Sequence, residues 1–238
     1  MKEPVETLLF DFGGTLDADG IAWKERFHAL YRAEGLDVSA DAFAPAFFAA
    51  DDPLVGGLPF TTDLTGTVHA LTANLEVELA RRFNGTGAAD NRSTGDRGRR
   101  VASRFLSEAS ATFARNQPVL KALSERYQLG IVSNFYGNLK TVCHSAGLAS
   151  LFAVMVDSHC VGVEKPDPAI FRAALEPLGA TPETTVFVGD SLRRDREGAR
   201  RTGMRFIWIA PHEVQAGEAW TAAAPAVTGL RDLMKILR

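Results

Sequence analysis

The sequence predicts an α/β protein whose parallel sheet is interrupted by one long helical insert. Three observations lead there. Short apolar, β-branched runs recur at residues 5–10, 129–133, 153–156, 185–188 and 205–209. Each is followed by turn or polar residues and then by a helix-like stretch, the alternation of strand and crossover helix that builds a parallel sheet. The runs VFVG and FIWI are nearly unbroken in apolar side chains, as strands covered on both faces require.

The first run ends at Phe10 and the second starts roughly 100 residues later, too far for an ordinary crossover connection. Residues 18–115 are therefore expected to form an inserted domain, with 1–17 and 116–238 building the sheet domain. Within the insert, WKERFHALYRAEGL sets Trp23, Phe27, Leu30 and Tyr31 on one helical face before Gly35 ends the pattern. Residues 68–83 and 101–113 repeat that periodicity. Between them, residues 84–100 (NGTGAADNRSTGDRGRR) hold four Gly and no large apolar residue, and read as a solvated, mobile loop. From residue 119 onward the strand–helix units are short and regular. No internal repeat is visible.

Composition narrows the function classes. The 238 residues are 46% hydrophobic and 23% charged, ordinary for a globular chain and unlike a disordered or fibrous one. No apolar run approaches the ~18–20 residues that span a bilayer. The net charge of −3 gives no reason to expect nucleic acid or an anionic membrane as partner, so any anion must be held locally. The start MKEPVETLLFDF has acidic residues where a signal peptide is basic, which leads to a cytoplasmic expectation. Cys143 and Cys160 lack metal or disulfide spacing and are expected to be reduced.

Four segments carry chemistry. In LLFDFGGTLD, residues 8–17, an apolar strand ends at Asp11 and enters a Gly-Gly turn, placing a carboxylate where open α/β sheets put their sites; Asp11 is a candidate nucleophile or metal ligand. In IVSNF, Ser133 and Asn134 follow another strand, offering a hydroxyl and N–H groups to phosphate oxygens. In GVEKPDPAIFRAAL, Lys165 precedes a Pro-Asp-Pro turn into a helix and supplies a fixed positive charge. In TVFVGDSLRRDREGARRTG, Asp190 ends a strand and Asp195 follows five residues on, hard oxygen ligands of the kind Mg²⁺ takes. Solvated turns, a surface lysine and dipole-complementing acids explain each segment singly; their order at the ends of separate strands does not follow from those readings.

The order DFGGTLD, IVSN, EKPDP and GDSLRRD resembles the four motifs of the haloacid dehalogenase superfamily, mainly its phosphatase branch, and the insert sits where that family carries a helical cap domain. The resemblance covers the sheet domain; the insert matches by position and helical character alone. It implies a Rossmann-like three-layer core, Mg²⁺, and an aspartyl-phosphate on Asp11 formed from a small phosphorylated molecule. By the same match Thr15, Ser133, Asn134 and Lys165 would serve the phosphoryl group or substrate. Asp11, the Gly13 carbonyl, Asp190 and Asp195 would serve the metal.

One position departs from the family. The phosphatase pattern is DxDGT, whose second Asp is the general acid and base, and here that position is Gly13. A positioned acid or base contributes about 10²- to 10⁴-fold. Alkyl phosphates should therefore be poor substrates relative to aryl, enol or acyl phosphates, and Gly13→Asp is expected to raise alkyl turnover. Asp17, Asp19, His28 and His69 are candidate substitutes. Two further branches lack that Asp, the dehalogenases and the phosphonatases. Asp190-Ser191 with Asp195 argue against the first, and the insert's only lysine, Lys24, stands too near Asp11 for the second. A binding protein without turnover is the remaining alternative.

Overall fold

A computed structural model describes residues 4–83, 94–211 and 225–237. Strands β1 (Thr7–Phe10), β2 (Gln128–Ser133), β3 (Val154–Asp157), β4 (Thr185–Gly189), β5 (Arg205–Ile209) and the short β6 (Ala226–Val227) form one sheet in the order β3-β2-β1-β4-β5-β6. Every pairing is parallel, and β1 is central, with Phe10 opposite Ile131 on one side and Val188 on the other. The fold is the three-layer, Rossmann-like α/β architecture that the sequence predicts.

Strand alternation sorts the core. Leu8 and Phe10 point to one face of the sheet and Leu9 to the other, so they enter two separate apolar clusters. The Leu9 cluster packs Phe187 and Phe206 against Phe171 and Ala174 of a helix over Pro168–Leu178. The Leu8 and Phe10 face belongs to the cluster that also holds the apolar residues of the insert, including Phe27, Phe43, Leu71 and Phe105. Those residues come from α1 (Trp23–Ala33), α2 (Ala40–Asp51), α3 (Leu64–Phe83) and α4 (Thr94–Ser124). Phe27 and Phe105 stack with ring centres 4.5 Å apart, joining α1 to α4.

Two details differ from expectation. Helix α4 begins at Thr94, inside the segment read as a loop; Arg97 is buried and makes a forked ion pair with Glu76 of α3 at 3.1 and 2.8 Å. Tertiary charge pairing there overrides the weak helix propensity of two glycines. The rest of that segment, 84–93, lies outside the described residues. Helix α4 also runs without interruption through the expected boundary at 115/116.

Candidate active site

The carboxyl ends of the adjacent strands β2, β1 and β4 deliver Ser133, Asp11 and Asp190 to one edge of the sheet. This is the edge at which open parallel sheets place their ligands. The chain leaves β1 through Gly14 in the left-handed region (φ +88°), with Asp190 packed so closely that an added β-carbon would stand 2.7 Å from its carboxylate. Only glycine fits there.

Asp11 is 5% exposed and accepts three hydrogen bonds on one oxygen, from its neighbour Phe12 N–H (2.8 Å), from the Ser133 hydroxyl (2.7 Å) and from the Lys165 ammonium (2.7 Å). Lys165 donates equally to Asp195, also at 2.7 Å. Burial alone would lower the Lys165 pKa, but the two carboxylates outweigh it and raise it, so the ammonium is permanent. Asn134 fixes this lysine through its backbone, accepting from Lys165 N–H at 2.8 Å and donating to Lys165 C=O at 3.3 Å. Asp195 is fully buried in a single wide helical turn over Leu192–Arg196, and its second oxygen accepts from Ser191 N–H at 2.9 Å. The Thr15 hydroxyl donates to Asp190 at 3.1 Å, which orients that carboxylate; Thr15 itself is buried and does not line the cavity.

Oxygens of Asp11, Asp190 and Asp195 lie within 4.8 Å of one another. Burial, then the charges of Asp11 and Asp195, push the Asp190 pKa well above the carboxylate range. Three converging oxygen ligands whose mutual repulsion one lysine only partly offsets are suited to a hard divalent cation.

A cavity of about 600 Å³ opens over these groups. Asp11, Gly13, Lys165 and Asp190 form its floor, and Trp23, Phe47, Phe48, Phe135 and Tyr136 give it an aromatic wall. Three side chains there are ones that the sequence does not single out. Asp51, the last residue of α2, faces the cavity and accepts a hydrogen bond from the Tyr136 hydroxyl; burial, then the charge of Asp52, raise its pKa to about 6 despite the opposing effects of Tyr136 and Arg194. Tyr136 stands two residues past Asn134. Arg194, inside the GDSLRRD segment, also lines the cavity; burial would lower its pKa, yet Asp11, Asp195, Asp190 and Asp51 together raise it. Position next to IVSN and GDSLRRD was the only available signal for the latter two, and none marked Asp51.

The four candidate substitutes for the missing acid lie elsewhere. Asp17 is fully buried and bound to Gly14 N–H, Trp23 Nε1 and Arg26, each at 2.7 Å. Asp19 pairs with Arg115, His28 bonds Val38 C=O, and exposed His69 borders a second cavity between α3 and α4. Gly13 lines the cavity beneath the Trp23 ring. No described helix is long and apolar enough to cross a membrane.

The chain is 29% identical over 187 residues, 76% of its length and 72% of the relative's, to haloacid dehalogenase-like hydrolase domain-containing protein 3 of Bos taurus. It is 45% identical over 64 residues, 27% of its length and 26% of the relative's, to phosphoserine phosphatase of Thermus thermophilus. The solved structure of a 2-haloacid dehalogenase from Pseudomonas syringae pv. Tomato superposes with a TM-score of 0.52 at 24% identity, over 98% of each chain, a likeness of fold. Residues 5–203 match the haloacid dehalogenase-like hydrolases as a family, and the chain belongs to that family of hydrolases.

Proposed function

We propose that the protein is a Mg²⁺-dependent phosphatase acting on a small phosphorylated molecule through a covalent aspartyl-phosphate on Asp11. The observation that carries this reading is the placement of Lys165 Nζ 2.7 Å from both Asp11 and Asp195, with Asp190 completing an acidic triad within 4.8 Å. A dehalogenase attacking carbon has no use for three converging carboxylates. A phosphatase does, because the phosphoryl group and a cation bring charges that must be held together.

Asp11, Asp190 and Asp195 would hold the cation, with the Gly13 carbonyl as the fourth protein group. Bound there, Mg²⁺ supplies charge neutralisation for the phosphoryl oxygens. The free Asp11 oxygen attacks phosphorus and the bond to the leaving oxygen breaks. Lys165 and the Ser133 hydroxyl, already converged on Asp11, grip the phosphoryl oxygens, and Asn134 keeps Lys165 in place. Thr15 acts from behind by orienting Asp190. Water then attacks phosphorus, releasing inorganic phosphate and regenerating Asp11. The aromatic wall and helices α1 and α2 exclude bulk water and shape the substrate space.

Release of inorganic phosphate from p-nitrophenyl phosphate tests this. Turnover that needs Mg²⁺ and is lost in Asp11→Asn is expected. Equal turnover in Asp11→Asn overturns the covalent mechanism, and metal-independent halide release from a 2-haloacid in place of phosphate release overturns the reaction class.

A further inference from the structure

An alkyl leaving group needs a proton as its bond to phosphorus breaks, and the turn after Asp11 offers none, since Gly13 has no side chain. Of the other cavity carboxyls, Asp11 and Asp190 face the reacting phosphoryl group and any cation. Glu25 is exposed at the start of α1 and pairs with Lys24 at 3.1 Å. Asp51 remains, partly buried on the wall contributed by α2.

Two hydrogen bonds hold the end of α2 against the loop after β2. The Tyr136 hydroxyl donates to Asp51, and Tyr136 C=O accepts from Gly56 N–H at 3.2 Å, so the end of α2 and the turn after it are pinned to the loop that follows β2. Asn74 of α3 ties down the same end by donating to Ala50 C=O at 3.0 Å. Across the cavity Arg194 lies within the field of both Asp51 and the acidic triad. A carboxyl so fixed shares a cavity with the nucleophile, the placement that a proton donor to the leaving oxygen needs.

We infer that Asp51, held by Tyr136, donates the proton to the leaving oxygen in place of the side chain absent at Gly13. The inference rests on the phosphatase reading above. As the phosphorus–oxygen bond breaks, the Asp51 O–H proton passes to the departing alkoxide oxygen and an alcohol leaves. Asp51, now a carboxylate, accepts a proton from the water that attacks the aspartyl-phosphate and is restored. The groups facing it are Tyr136 from the β2 loop, Asp52 beside it, Arg194 from the turn after β4, and Lys24 with Glu25 at the start of α1. Its pKa of about 6 leaves both protonation states accessible near neutral pH.

The test compares propyl phosphate, whose alkoxide needs a proton, with p-nitrophenyl phosphate, whose phenolate does not, on single preparations of natural protein, Asp51→Asn and Tyr136→Phe. Because both esters report on the same folded fraction, their ratio is insensitive to partial unfolding. The propyl-to-nitrophenyl ratio is expected to fall about 10²-fold in Asp51→Asn. In Tyr136→Phe, which keeps the carboxyl but removes a donor to its charged form, the ratio is retained and the alkaline limb for propyl phosphate moves to higher pH. An unchanged ratio in Asp51→Asn, or the same fall in Tyr136→Phe, overturns the inference and leaves Asp51 as a pin for α2. Failure of the natural protein to hydrolyse either ester overturns the phosphatase reading itself.

Discussion

The indole nitrogen of Trp23 lies 3.3 Å from the point where a β-carbon on Gly13 would stand, and its Cδ1 lies at 3.4 Å. The space that a longer side chain at residue 13 would need is thus partly filled by a ring that is itself fixed, since Trp23 Nε1 donates to buried Asp17. Restoring a carboxylate by Gly13→Asp must push that ring. The substitution is expected to cost about 1–3 kcal/mol in denaturant unfolding, as overpacking does. The cost should shrink in a Trp23→Phe background. Additive free energies in the double-mutant cycle would show that the ring is not the obstacle.

Arg26 and Asp17 form a buried ion pair, 7% and 0% exposed, with the guanidinium also over the Phe105 ring at 3.8 Å from its centre. Burial raises the Asp17 pKa and Arg26 opposes it. Arg26→Ala leaves the carboxylate without its cation and should destabilise by about 3–5 kcal/mol. Since Asp17 also anchors Gly14 N–H, activity should fall along with stability. Unfolding midpoints within error of the natural protein would contradict this role.

Asp51 ties stability to pH. Its folded pKa of about 6 stands above its unfolded value near 3.8, so the proton is bound more tightly in the folded state. Its contribution is fully present below about pH 4 and is lost as pH rises through 6, by about 3 kcal/mol. Asp51→Asn should flatten that part of the stability profile and be the more stable protein at pH 7. A profile of unchanged slope between pH 4 and 6 would assign the dependence to other groups.

Asp190 should respond to metal. Without a cation its charge is opposed by Asp11 and Asp195. Asp190→Asn is expected to raise the unfolding temperature in chelator and to lack the further rise that the proposed Mg²⁺ site would give the natural protein on adding Mg²⁺. That rise corresponds to about 2.7 kcal/mol at a hundredfold excess over Kd. Equal Mg²⁺ stabilisation in both proteins would place the cation elsewhere.

Much of this was legible in sequence because parallel strands are buried on both faces and so read as apolar runs; β1 to β5 fall within a residue or two of expectation. Asp11, Ser133, Lys165, Asp190 and Asp195 were legible for a related reason, as polar residues stopping such runs or following them at short range. Helix α2 was not, because Pro45 sits inside it and its run of alanines and phenylalanines shows little periodicity. Asp51 escaped because nothing beside it in the chain hints at Tyr136 or Arg194, which reach it only through the fold. Asn134 was found as a polar residue after a strand and Thr15 through the family pattern, and their partners are Lys165 and Asp190.

Helix α4 has a mechanical consequence. Its 31 residues make a rod about 46 Å long that starts among the insert's helices and ends just before β2. Of the two chain crossings between insert and sheet, one is therefore a stiff beam and the other the loop after β1. Any swing of α1 to α3 that opens the cavity either carries the beam along or bends it at Pro118, where the backbone lacks an N–H to hold the turn. Opening would then be the tilt of a lever whose long arm, from Pro118 outward, carries Arg97.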